Sequence, residues 1–197
     1  HIVLIMCILL AIYTIIFAVS NSFKKLSYAY DSMLNLIPIP FTMENFDKLV
    51  NDIPLLQITT NTFVIASVIT IVKVAISFLA AFAIVFYQFK FKKVTYIVLV
   101  ATIFVPFTVT MVPNYIIMAR LGFVDSVWGV ILPQLADAIG IFMLTQSMRN
   151  IPRALLDSLQ VDNISVWHTM KDVIVPITKP ALTSTSIWFF ILSWNEY

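Results

Sequence analysis

Long apolar runs alternate with short polar interruptions along the chain, and five of the runs reach the roughly 20 residues that a helix needs to cross a bilayer. They lie near Ile2 to Ser20, Asn61 to Tyr87, Val94 to Met118, Val127 to Ser147 and Ala181 to Tyr197. The first run has no small-residue cleavage site before Asn21, so it reads as a retained helix rather than a signal peptide. Between Ser20 and Thr60 the pattern changes. Thr42 is placed to cap a helix, Phe41 and Phe46 stand at the positions of a hydrophobic staple, and Phe46, Leu49 and Val50 share one face. This predicts a short amphipathic helix lying at the membrane interface.

The polar interruptions carry their own signals. In the third run, Pro106 and Pro113 each remove a backbone hydrogen bond, which predicts a kink or local unwinding. Gly122 is suited to end that helix and Asp125 to cap the next. Between the fourth and fifth runs, residues 151 to 176 read as two short helices back to back. Pro152 suits a first turn, Asp162-Asn163 a stop, Ser165 a second cap, and Pro176 closes the second helix. Such a helical knob outside lipid implies that something docks on it.

Composition fixes the solvent. With 60% hydrophobic residues, 11% charged residues and a mean hydropathy of +0.96, this chain of 197 residues is too apolar for a soluble domain. A net charge of +2, with no Lys or Arg cluster along a helix face, gives no footprint for nucleic acid. Cys7 is the one cysteine and lies in an apolar run, where it reads as packing.

The 151–176 stretch resembles the coupling loop, or EAA loop, of binding-protein-dependent ABC importer permeases. Asp157-Ser158-Leu159 stands where that pattern has E-A-A, and Asp162-Asn163-Ile164-Ser165 stands where it has D-G-A-S. Pro176 and Pro180 fall at the expected spacing. Asn61-Thr62, Leu121-Gly122-Phe123, Trp128-Gly129-Val130-Ile131-Leu132 and Trp194-Asn195-Glu196-Tyr197 look like the carbohydrate-uptake branch, the maltose-transporter type. The resemblance implies an all-α polytopic transmembrane bundle of the MetI-like permease fold, a single domain over 1–197 with a cytoplasmic coupling loop at 148–180. It also implies residence in the bacterial cytoplasmic membrane and a sixth helix. With no Met before His1 and an apolar run still open at Tyr197, the chain is expected to be truncated at both ends.

Implied partners are a second permease, two ATP-binding cassette ATPase subunits, an extracytoplasmic solute-binding protein and membrane lipid. The implied coupling residues are Asp157, Ser158, Leu159, Asp162, Asn163 and Ser165. Asp157 is shorter than Glu, Leu159 bulkier than Ala, and Asn163 replaces Gly while still tolerating a left-handed turn. A cytoplasmic loop puts Lys90, Lys92, Lys93, Arg149, Arg153, Lys171 and Lys179 inside, against Lys24, Lys25, Lys48 and Arg120 outside. That bias follows the positive-inside rule, although Lys24 and Lys25 run against it. The helix near Phe46 would then lie outside, resting on headgroups or forming part of an outer gate or a seat for the binding protein.

Two charges fall inside predicted spans, Lys73 in the second and Asp137 in the fourth, each costing about 2.5 to 3.5 kcal/mol at a helix centre on insertion scales. Similar depth and opposite sign predict that they pair or share a polar cavity, as a stabilising bridge or as translocation-pathway residues. Asn195 and Glu196 near the end of the fifth span are expected to face the bundle interior and the pathway, with that span exposed along one side. Two histidines, His1 and His168, make neither a metal cluster nor a catalytic triad, and there is no G-x-x-x-x-G-K-[ST] loop. The chain reads as a transport subunit rather than an enzyme, with no cofactor of its own and ATP bound by partner subunits. A sugar or oligosaccharide is the expected solute; Trp188, Trp194 and Tyr197 offer stacking surfaces, but aromatics also anchor and pack. The alternatives are a secondary transporter, which would show internal repeats and discontinuous spans, or an inactive membrane scaffold.

Overall fold

The computed structural model describes residues 1–29, 35–152, 154–155 and 164–196. These residues are helical apart from connecting turns and an isolated bridge between Lys24 and Phe41. The chain divides into two compact units, His1–Thr60 and Asn61–Tyr197.

In the first unit, α1 (Ile2–Ser22) is an apolar helix of spanning length whose side chains are exposed almost throughout. A polar knot closes its end. Ser20 donates to the Leu36 carbonyl and the buried Lys24 ammonium to that of Asn35. The Asn45 amide donates to the carbonyls of Ser22 at 2.9 Å and Lys24 at 2.8 Å. Beyond a helical turn at Leu26–Ala29, α2 (Glu44–Asp52) is the predicted amphipathic helix. The N-cap is Met43 rather than the expected Thr42, which stands one residue earlier and whose Oγ1 accepts from the Glu44 N–H at 3.1 Å. Phe41 and Phe46 do not staple to each other alone: both rings meet Phe23, with centroids at 5.2 and 5.1 Å.

On α2, Lys48 Nζ donates to Glu44 Oε1 at 2.8 Å. This hydrogen bond and the accompanying charge hold Glu44 below the ordinary glutamate value and Lys48 above the ordinary lysine value. The depressed Glu44 value means that its contribution is present above the ordinary value and is lost as pH falls through the folded one. Lys48 behaves oppositely, its contribution being lost as pH rises through its raised value. Carboxyl ¹³C NMR is expected to show the Glu44 midpoint below ordinary glutamate and its return on Lys48→Gln. An unchanged midpoint in that variant would remove the pairing.

In the second unit, α3 (Leu55–Phe86) is the second span, with the part from Asn61 onward belonging here. The third predicted span is two helices, α4 (Lys92–Thr102) and α5 (Phe107–Arg120), meeting at 100°. Pro106 explains the break, because it has no N–H and excludes the preceding residue from helical backbone. Pro113, by contrast, sits inside α5. Gly122 ends α5 with φ +74°, while the Phe123 N–H reaches Met118 O and the Gly122 N–H reaches Ala119 O, the pair of bonds of a Schellman motif. The next cap is Ser126, not Asp125: Ser126 Oγ accepts from the Trp128 N–H at 3.1 Å, and Asp125 takes the left-handed backbone instead.

The fourth span is also divided. The helix α6 (Val127–Ile131), continued by a 3₁₀ turn at Leu132–Gln134, is bent by 42° from α7 (Ala138–Arg149). The last element, α8 (Val166–Glu196), corrects the predicted stop at Pro176 and the predicted start at Ala181. Ser165 caps it, and Thr169–Ile174 form a π-helical turn immediately before Pro176. Widening of this turn relieves the collision that a proline ring makes with the carbonyl four residues back, so the helix continues through Pro176 and Pro180. Among the described residues three helices are long and apolar enough to span a membrane, and counting each bent pair as one span gives five.

The core lies where α3, α7 and α8 meet, with Phe78, Ala81 and Phe82 packed on Leu144, Met148, Ile151 and Ile174. Elsewhere large apolar side chains face outward, as lipid contact requires. On α8, Ile187, Trp188, Ile191 and Trp194 form the exposed side anticipated for the fifth span.

Candidate functional site

Lys73 and Asp137, roughly 200 Å apart along a fully extended chain, come together in space. Lys73 Nζ lies 3.6 Å from Asp137 Oδ2, and Lys73 is buried. Asp137 is not in mid-helix, as the sequence pattern suggested, but at the N-cap of α7. Its Oδ1 accepts from the Ile139 N–H at 2.7 Å and the Gly140 N–H at 3.3 Å. One carboxylate therefore answers both the lysine and the positive end of a helix that would otherwise start with unpaired donors. Its break in the fourth span exists because Asp favours a cap over a helix interior.

A third element completes the cluster. Lys73 Nζ sits 4.9 Å from the centroid of Phe189 on α8, a cation–π contact. Phe189 reaches this place because Gly140 has no side chain: a Cβ there would lie 2.4 Å from Phe189 Cζ and 2.7 Å from Ser77 Oγ.

In the same unit, the buried hydroxyls of Thr70, Ser77, Thr145, Thr185 and Ser193 have no hydrogen-bond partner among the described residues. These were missed from sequence, although the spacing of Thr70, Lys73 and Ser77 along α3, and of Thr178, Thr185 and Ser193 along α8, marks one polar stripe on each helix. Among the described residues no group of acidic, His or Cys side chains has the makeup of a metal site.

The other anticipated residues fare differently. Asn195 and Glu196 are exposed on this chain; the Asn195 amide donates back to Ile191 O at 2.9 Å. The inward face of α8 bears Thr185, Phe189 and Ser193; Asn195 falls on another side, whereas Glu196, seven residues after Phe189, continues the inward face and is exposed where the helix ends. Ser165 is half of a cap, its Oγ 2.7 Å from His168 Nδ1 and 3.4 Å from the His168 N–H. Asp157, Ser158, Leu159, Asp162 and Asn163 lie outside the described residues. A separate cavity of about 510 Å³ opens between α5 and α6, lined by Phe107, Met111, Asn114, Tyr115, Phe123 and Gln134.

Over its whole length the chain is 29% identical to an sn-glycerol-3-phosphate transport system permease protein of Rhizobium meliloti, covering 72% of that protein. It is 28% identical to a protein of the same description from Brucella abortus, again over the whole chain and 72% of the relative. A counterpart from Agrobacterium fabrum is 34% identical over 137 residues, 70% of this chain and 49% of that protein. From end to end the chain is thus similar to permease proteins of a transport system. No protein-family model matches it. It is an all-α, multi-pass protein of the bacterial cytoplasmic membrane.

Proposed function

We propose that this permease conducts a small polyhydroxylated solute, a sugar, an oligosaccharide or a sugar-like phosphate, through a pathway it forms with a second permease. Two ATPase subunits would bind ATP, which accords with the lack of a phosphate-binding loop in this sequence, and an extracytoplasmic binding protein would deliver the solute. The observation that carries this reading is the end-to-end match to glycerol-phosphate permeases over a bundle of up to five spans. ATP-driven closure of the ATPase dimer would move the 151–176 segment, and the spans would rock to alternate access. Lys73 and Asp137 would hold the second and fourth spans together during that motion, with Asn195 and Glu196 facing the partner side.

Reconstitution with the ATPase tests the coupling assignment. Asp157→Lys is expected to lower uptake per ATP hydrolysed about tenfold, by placing repulsion where a basic partner is attracted. Asn163→Val should instead strain the left-handed turn that the sequence leads one to expect there and misaim α8. Both variants matching wild type in ATPase binding, hydrolysis and uptake, while correctly inserted, would leave the coupling assignment without support. Competition of labelled sugars and glycerol phosphates for uptake identifies the solute.

A further inference from the structure

A second basic site stands apart from the Lys73 cluster, at the end of the bundle that the charge bias assigns to the cytoplasm. A cavity of about 310 Å³ lies beside the C-terminal ends of α3 and α7, with Lys92 and Arg149 at its edge and Ile84, Val85, Met148 and Ile151 in its walls. Lys92 Nζ is fixed over the end of α3, donating to Tyr87 O at 2.8 Å and Val85 O at 3.3 Å. Arg149 is held differently. Its guanidinium lies 4.4 Å from the Tyr96 ring centroid, and the ring is steadied by the Gln146 amide, which donates to Tyr96 Oη at 3.1 Å.

Stacking occupies the face of a guanidinium and leaves its rim of N–H donors for an acceptor. Among the described residues Arg149 makes neither a hydrogen bond nor an ion pair, so those donors are unspent. Arg149 also compensates the C-terminal dipole of α7, but a cation serving only the dipole has no need of a prepared aromatic shelf beside an apolar cavity. The surroundings match a lipid. Exposed Val94, Ile97 and Val98 continue along α4 from the cavity and offer a surface for an acyl chain, while Lys90 and Lys93 add positive charge beside Lys92.

We propose that this cavity binds the phosphodiester headgroup of an anionic phospholipid of the inner leaflet, with Arg149 supplying the phosphate contact and Lys92 a fixed neighbouring charge. The headgroup would brace the ends of α3, α4 and α7 next to the segment that leads to the ATPases.

The test uses the assembled transporter in nanodiscs of mixed phosphatidylglycerol and phosphatidylethanolamine, with retained lipid counted by mass spectrometry. Wild type is expected to enrich phosphatidylglycerol, and Arg149→Gln to lower that enrichment about fivefold, with Arg149→Lys intermediate and Arg120→Gln unchanged. Should Arg149→Gln not assemble, the wild-type complex still decides: phosphatidylglycerol must raise its unfolding midpoint more than phosphatidylethanolamine does. Equal enrichment in wild type and Arg149→Gln, or no preferential stabilisation, overturns the proposal. Displacement of the lipid by inorganic phosphate at equal concentration would assign the site to a free anion. Loss of ATPase subunits with lipid retention intact would make it a protein contact; either result overturns the lipid assignment.

Discussion

Lys73→Met and Asp137→Asn are each expected to destabilise the assembled permease by about 3 to 5 kcal/mol, whereas the double variant should recover most of that loss. The asymmetry arises because removing one partner strands the other charge, the buried Lys73 or the partly buried Asp137, away from bulk water. Lys73 is buried, and its described partners are Asp137 at 3.6 Å and the Phe189 ring at 4.9 Å. Asn is chosen at position 137 because its side-chain oxygen can still accept from the N–H groups of Ile139 and Gly140, so the cap survives while the charge goes. Unfolding of the four variants in nanodiscs gives the coupling energy through a double-mutant cycle. Losses that simply add, or single variants as stable as wild type, would mean that the pair is a coincidence of packing.

Gly140→Ala is expected to cost about 3 kcal/mol or more, and Gly140→Val to prevent assembly. Alanine improves helix propensity by about 1 kcal/mol over glycine, which works in the opposite direction and sets the scale that the clash must exceed. It does exceed it, because the new carbon would meet Phe189 Cζ at 2.4 Å and Cε2 at 2.8 Å, and Phe189 is fully buried. Moving that ring also withdraws it from Lys73, so uptake should fall along with stability. Phe189→Leu in the Gly140→Ala background should restore part of the stability. If Gly140→Ala unfolds at the wild-type midpoint, the close approach of α7 and α8 is wrong.

The spans were legible in the sequence because lipid demands apolar residues in runs of known length, and the Lys73–Asp137 pairing because charges in such runs are few. The position of Asp137 at a helix start was less visible, since a single Asp among apolar residues has the same pattern in mid-helix as at a cap. Pro106 and Pro176 show the limit of residue-by-residue reading. Both lack the N–H, yet the chain breaks at the first and passes the second inside a helix, where a π-helical turn precedes it. The stripe of Thr and Ser hydroxyls escaped notice for another reason: these small residues interrupt hydropathy too little to stand out, and only their shared face reveals them.

The continuity of α8 has a mechanical consequence. Its 31 residues make a rod roughly 45 Å long at about 1.5 Å per residue. A rotation of about 5° around the Ser165 end then carries the Trp194 end sideways by about 4 Å, from the same rise per residue. Angular error is magnified equally. The tolerance at the capped end must therefore be tight, and the Ser165–His168 contact becomes a bearing whose play is read out at the far end of the helix.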